Sequence, residues 1–270
     1  MNICFIGGGN MAKALIGGMI KRGYAPSKMR VVEIDKQRCA ALHDEFAVRG
    51  TTVMSDAVSH CETVLLAVKP QQLREVCEQL SPLLGEQLVI SIAAGIRTKD
   101  IVRWLKVENV VRAMPNTPAL IRQGVTGLFA LPTVKEAGRQ RAEAILEAVG
   151  STLWVAEEKL LDTVTAISGS GPAYVFYFIE AMQQAALELG MDQLQARQMV
   201  LDTFMGASKL ADSSKEDVAT LRAQVTSKYG TTERALMSMS ANQVMQHIIA
   251  AAHAAAARSR ELGDELGKDA

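Results

Sequence analysis

Residues 5–18 read FIGGGNMAKALIGG: an apolar start, three consecutive glycines, an amide, then a helical pattern. Gly7, Gly9 and Ala12 fit the spacing G-x-G-x-x-G/A. The context suits the motif, because NICFI (2–6) reads as a β-strand ending at Ile6 and a helix begins at about Asn10. In such a turn the first glycine permits the tight bend and the second lets the backbone approach a pyrophosphate. The small third residue lets helix pack on strand. Free amides and the dipole at the helix start then attract the anion. The turn therefore predicts a dinucleotide phosphate site.

Working outward, RVVEI (30–34), TVLLAV (63–68), LVISIA (88–93), NVVRAM (109–114), VTGLFA (125–130) and STLWVA (151–156) read as further short strands, most of them separated by helical stretches. This alternation predicts an α/β fold with a parallel sheet, helices on both faces and a ligand at the carboxyl ends of the strands. Glu33 or Asp35, 21 or 23 residues after Ala12, lies where an acid accepts the ribose hydroxyls of NAD. Lys36 and Arg38 are cations suited to a 2′-phosphate, or solvated starts of a surface helix. NADH and NADPH both stay open. AVKP, SIAAG and MPNTP mark other strand ends on the same edge, with Lys69 and Asn116 either lining the nicotinamide side or serving as a solvated charge and a turn-former.

After about Ala156 no convincing strand remains, so the expected division is residues 1–156 and 157–270, the second part all helical. Pro172 suits the first turn of a helix through AYVFYFIEAMQQAALEL, and Gly190 its stop. This helix is apolar nearly all round at its start, as fits a buried core or a dimer interface. The alanine-rich tail HIIAAAHAAAARSREL favours helix strongly.

Twenty-nine basic residues balance twenty-nine acidic ones without long like-charge blocks, which argues against a nucleic-acid binder and for small-molecule chemistry. Cys4, Cys39, Cys61 and Cys77 show no C-x-x-C pair and read as scattered reduced thiols. No apolar run approaches the roughly 20 residues of a membrane span, and the expected location is the cytoplasm. No metal set emerges: His43 and His60 read as surface positions, and His247 and His253, six apart, point to different sides of a helix. Nor is there a Ser-His-Asp order. A ketone reductase needs a strong proton donor, whereas a protonated imine already carries the charge that draws hydride, so positioning alone suffices for an imine reductase.

A second glycine-broken loop, VTSKYGTTERAL (225–236), interrupts the helical half. Backbone amides from Gly230 to Thr232, with the threonine hydroxyls, suit a carboxylate clamp; the alternative is that Thr231 or Thr232 merely caps the next helix.

FIGGGNMAKALIGG, AVKPQ, SIAAGI, RAMPNTPAL, SGSGPAYVFYFIEAM and VTSKYGTTERAL, in that order, make the chain similar over almost its whole length to the Δ1-pyrroline-5-carboxylate reductase family. The resemblance implies a Rossmann-like domain followed by a helical dimerisation domain, with dimers often assembled into a larger ring. It implies reduction of L-1-pyrroline-5-carboxylate to L-proline by NADPH or NADH. By that likeness Gly7, Gly9, Asn10 and Met11 line the phosphate turn. Val68, Lys69 and Pro70 border the cofactor, and Ala93, Ala94 and Asn116 approach the nicotinamide. Gly230, Thr231 and Thr232 hold the substrate, Thr232 being the catalytic candidate that hydrogen-bonds the ring nitrogen. The chain departs from the family at Tyr229, where the loop S-P-G-G-T-T has glycine, which predicts about 1 kcal/mol or more of strain or a different loop path. It departs again at Glu33, where NADPH-preferring relatives often have a small neutral residue. The β-hydroxyacid dehydrogenases share the two-domain plan, but their catalytic lysine after the glycine turn is missing from SGSGPAYVFYFIEAM. A non-catalytic dinucleotide-binding regulator is the remaining alternative.

Overall fold

The computed structural model describes residues 1–268 and divides into two compact units, Met1–Ser170 with the returning residues from Ala254 onward, and Gly171–His253. The first unit runs β1 (Ile3–Ile6), α1 (Asn10–Lys21), β2 (Met29–Val32), α2 (Lys36–Phe46), β3 (Arg49–Thr51), α3 (Met54–Val58), β4 (Thr63–Leu66) and α4 (Pro70–Leu80). It continues with β5 (Leu88–Ser91), α5 (Thr98–Leu105), β6 (Val110–Met114), β7 (Gly124–Ala130), α6 (Glu136–Leu146), β8 (Gly150–Trp154) and α7 (Leu160–Val164). These strands form one eight-stranded sheet in the order β3-β2-β1-β4-β5-β6-β7-β8.

The central strands are mostly apolar because both faces are covered. Along β1, Ile3 and Phe5 enter one core with Leu15, Ile16 and Met19 of α1 and Ile145 and Leu146 of α6. The alternating Cys4 and Ile6 enter the other, with Leu73, Cys77 and Leu80 of α4 and Ile101 and Leu105 of α5. Pro70 opens α4, where its missing N–H costs no helical bond.

The sheet departs from the expected parallel arrangement at one pair. β7 runs antiparallel to β6, and β8 follows β7 in parallel. The reason is the connection: only a 3₁₀ segment, Thr117–Ile121, joins β6 to β7, too short for a crossover over the sheet. The edge strand β3, three residues with a central glycine, escaped the sequence reading because nothing in RGT alternates. The boundary expected at Ala156 marks the end of the strands but not of the compact unit. α7 and the π-turn after it still pack here: a Cβ on Gly127 of β7 would stand 2.8 Å from the Val164 side chain, and Asn116 Nδ2 donates to the Ser168 carbonyl at 3.2 Å. The C-terminal turns return as well: Ser259 Oγ donates to Asp162 Oδ1 at 2.6 Å, and Arg97 pairs with Asp264 at 2.6 Å.

A buried ion pair ties three pieces of this unit together. Arg112 on β6, its side chain 4% exposed, lies 2.9 Å from Glu158 Oε1. The Thr98 N–H donates to the same oxygen at 2.7 Å and its hydroxyl to Oε2 at 2.7 Å. The start of α5 and the segment before α7 are thereby held to the strand.

The second unit contains α8 (Gly171–Glu188), α9 (Gln193–Ser213), α10 (Val218–Gln224), α11 (Thr231–Ala241) and the first turns of α12 (Val244–Leu266). α8 packs on α9, whose start carries a capping box of Asp192 with Gln195, and Gly190 at φ +99° provides the turn between them. Little is buried: Ala186 on α8, Ala196 and Val200 on α9, and nothing on α10 or α11. Phe176, Tyr177, Met245 and Ile249 stay largely exposed. A helical unit with so small a core needs another surface to cover it.

Arg112→Ala is expected to destabilise the protein by about 3 kcal/mol, because it strands Glu158 without its buried partner. Urea melts followed by circular dichroism check it; a change below about 1 kcal/mol would show the pair to be dispensable.

Candidate active site

β1, the glycine turn and α1 build the candidate site of the first unit. Gly7 has φ +97° and donates its N–H to the Val32 carbonyl at 2.8 Å. A Cβ there would stand 2.7 Å from the Ala67 carbonyl oxygen, so only glycine fits between β1 and the end of β4. Gly9 is different. It is the N-cap of α1 in extended conformation, with no side-chain cap, and a Cβ on it would meet no protein atom within 4 Å. The fold leaves open the space a Cβ would fill, next to the uncapped amides of Asn10 and Met11. An exposed Asn10 and a half-buried Met11 begin the helix. This cradle fits a pyrophosphate.

At the end of β2, Glu33 is only 6% exposed. Its Oε2 accepts the Gly8 N–H at 2.9 Å and Arg38 Nη1 at 3.1 Å, and its Oε1 accepts the Asp35 N–H at 3.1 Å. Burial alone would raise its pKa. The amides of Asp35 and Gly8 and the Arg38 guanidinium outweigh burial and hold the carboxyl below its usual value. Asp35 is exposed and caps α2, its Oδ1 accepting from the amides of Gln37 at 2.9 Å and Arg38 at 3.3 Å. Gly8 was missed in the sequence, although a glycine at a position the motif leaves free was a signal. A Cβ there would lie 2.7 Å from Leu42 Cδ1 and 3.2 Å from Glu33 Oε2.

The other strand ends lie along the same edge of the sheet. Val68 borders the Gly7 turn, and Lys69 is the exposed N-cap of α4 ahead of Pro70. Ala93 is buried and Ala94 half-buried at the end of β5. Asn116 is committed to the fold: Nδ2 donates to the carbonyl and hydroxyl of Ser168 at 3.2 and 3.0 Å, and Oδ1 accepts the Val125 N–H at 2.9 Å. The Arg112–Glu158–Thr98 network, which fixes the exit of β5, was also missed; its only sequence signal was a lone arginine in an apolar strand.

The helical unit carries a second candidate loop. Gly230 is the N-cap of α11, and neither Thr231 nor Thr232 supplies a side-chain cap. The Gly230 N–H is spent on the Ser227 carbonyl at 3.0 Å, so the first-turn amides of Thr231 and Thr232 are the available donors. Thr231 is exposed and Thr232 half-buried. Tyr229 adopts φ +62°, a left-handed turn costing a non-glycine residue roughly 1–2 kcal/mol. The expected strain is therefore present. Glu233 Oε2 offsets part of it by accepting the Tyr229 N–H at 2.7 Å, and the Tyr229 ring is 87% exposed with Lys228 Nζ 5.0 Å from its centroid.

Residues 158–262 match the family model described as "Pyrroline-5-carboxylate reductase dimerisation", and residues 2–95 match "NADP oxidoreductase coenzyme F420-dependent". A pyrroline-5-carboxylate reductase of Pseudomonas aeruginosa is 43% identical over 98% of both chains. The chain belongs to the pyrroline-5-carboxylate reductase family. A solved member from Coxiella burnetii is 40% identical with a TM-score of 0.92, covering 97% of this chain and 98% of its own. One from Plasmodium falciparum, solved with NADP bound, is 27% identical with a TM-score of 0.87 over 97% and 98% of the two chains. The Rossmann-like unit and the helical dimerisation unit of the family are thus both present.

Gly7 and Gly9 are expected to respond differently to alanine. Gly7→Ala should cost about 1–3 kcal/mol of stability. Gly9→Ala should change stability by less than about 1 kcal/mol while weakening NAD(P)H binding about tenfold or more. Thermal melts paired with fluorescence titrations check both, and unaltered affinity in Gly9→Ala would show that no phosphate lies against it.

Proposed function

We infer that this chain reduces L-1-pyrroline-5-carboxylate to L-proline with NAD(P)H. Beside its family membership, the observation that carries this reading is the pairing, on one chain, of an open phosphate cradle at Gly9 with an uncapped helix start at Gly230–Thr232. Bound NAD(P)H supplies the hydride. The turn from Gly7 to Met11 holds the pyrophosphate on the α1 amides. Glu33 lies at the ribose, Val68, Lys69 and Pro70 border the cofactor, and Ala93, Ala94 and the Asn116 backbone flank the nicotinamide. The Thr231 and Thr232 amides hold the substrate carboxylate, Gly230 lets the loop close against Ser227 ahead of them, and the helix dipole favours that charge. Glu233, already drawn to the Tyr229 N–H, is the acid this anion must tolerate. The Thr232 hydroxyl, with no partner among the described residues, accepts the N–H of the protonated imine. No strong acid is required, because the imine nitrogen already carries the proton that a ketone would have to gain.

The helical unit pairs with a second copy through its exposed apolar faces, and such dimers join into a larger ring in the cytoplasm. No described helix is long and apolar enough to cross a membrane.

Purified protein should oxidise NADH or NADPH in the presence of L-1-pyrroline-5-carboxylate and form an equal amount of proline; cofactor binding without turnover would sink the reading. Thr232→Ala should lower kcat/KM by about 1.5–3 kcal/mol, the worth of a hydrogen bond to a charged group, while Thr232→Ser largely restores it. Equal loss in both variants would remove the hydroxyl from the mechanism. Light scattering should find a dimer or a multiple of it, and a monomer at micromolar concentration would contradict the assembly.

A further inference from the structure

We propose that this chain selects NADH over NADPH because two carboxylates already occupy the groups at the end of β2 that would bind a 2′-phosphate. The proposal rests on the reading that the first unit holds NAD(P)H, and it adds which of the two dinucleotides.

A 2′-phosphate is recognised by a guanidinium, by free amides at a helix start, or by both. Residues 33–38 hold one of each, and each is already engaged by a carboxylate. The guanidinium of Arg38 is turned onto Glu33, Nη1 to Oε2 at 3.1 Å. The start of α2 is capped by Asp35, which accepts the Gln37 and Arg38 amides. Lys36 is exposed and is the one cation of the stretch without a carboxylate partner among the described residues. Glu33 and Asp35 contribute −2 and Lys36 and Arg38 contribute +2, so the stretch is neutral overall where a doubly charged phosphate needs an excess of positive charge.

Glu33 is not free to swing aside. It is buried, and the Gly8 N–H, the Asp35 N–H and Arg38 all bond to it. The Gly8 bond ties the carboxylate to the phosphate turn, so moving Glu33 away from an incoming phosphate would disturb the cradle that binds the rest of the cofactor. A ribose hydroxyl meets a different surface. It donates a hydrogen bond, and Glu33 Oε1 has accepted only one, from Asp35, leaving a lone pair for it. Ile34, 83% exposed between the two acids, adds an apolar surface for the adenine ring. A 2′-phosphate that reached the remaining N–H groups of Arg38 would still lie beside the Glu33 carboxylate on the same guanidinium.

Direct binding of NADH and NADPH, measured by calorimetry on the wild-type protein, tests the proposal apart from turnover. NADH should bind at least about tenfold tighter. AMP should likewise displace bound NADH at lower concentration than 2′-phospho-AMP. Glu33→Gln keeps an oxygen for the Gly8 N–H, removes the negative charge and releases Arg38. It should reduce the NADH-to-NADPH affinity ratio by about tenfold or more, chiefly through tighter NADPH binding. Arg38→Met leaves Glu33 uncompensated and should widen the ratio. Should Glu33→Gln fail to fold, the wild-type ratio, the nucleotide competition and Arg38→Met still decide the matter. NADPH binding as tightly as NADH to the wild type would overturn the proposal and leave the dinucleotide site standing. Binding of neither would overturn the reading of the site itself.

Discussion

The close passage of the Gly7 turn over the Ala67 carbonyl is the constraint on which the rest of the structure depends. β1 lies between β2 and β4, where the strand order reverses, and the chain must leave it, bend and start α1 without colliding with the end of β4. Only a residue without a Cβ and with positive φ makes that bend. Once made, it sets α1 on the sheet and points the helix's free amides along the carboxyl edge. Glu33 is then drawn in to the Gly8 amide, and through Arg38 and Asp35 the start of α2 follows. Fold and candidate site are in this sense one arrangement: the amides suited to an anion are those the turn leaves unpaired.

The helical unit follows a different logic. Its ordered backbone rests on caps and turns, at Asp192, Gly190 and Asp217, more than on a core of its own. Its apolar residues face outward from helices that bury few small side chains. Such a unit gains most of its stability by association, which matches the dimerisation model that covers it. The same unit carries the strained Tyr229 turn ahead of α11. Left-handed backbone at a non-glycine residue next to an uncapped helix start is the kind of strain that binding sites retain.

Much of this was legible in the sequence. Seven of the strands were visible, the central ones because buried parallel strands are nearly continuous apolar runs, and the glycine turn was visible because its backbone demands leave a spacing. The helical half was visible as the loss of strands, and the two candidate loops as glycine breaks before helices. What escaped did so for physical reasons. β3 has three residues and no alternation, and the reversal of β7 depends on the length of a connection rather than on the strand itself. The return of α12 to the first unit rests on polar contacts between residues remote in sequence, such as Ser259 with Asp162. The commitments of Asn116 and Glu33 were equally hidden, since a side chain's residue type does not reveal which partner its hydrogen bonds will find.

The central claim is that a dinucleotide held by the Gly7–Met11 turn delivers hydride to a cyclic imine whose carboxylate the α11 start holds. The most direct measurement uses cofactor deuterated at the transferable position of the nicotinamide C4, with mass spectrometry and NMR of the proline formed. The account predicts one deuterium per proline, on the ring carbon next to nitrogen and remote from the carboxylate, on a single face. Proline without deuterium, or deuterium elsewhere in the ring, would contradict it.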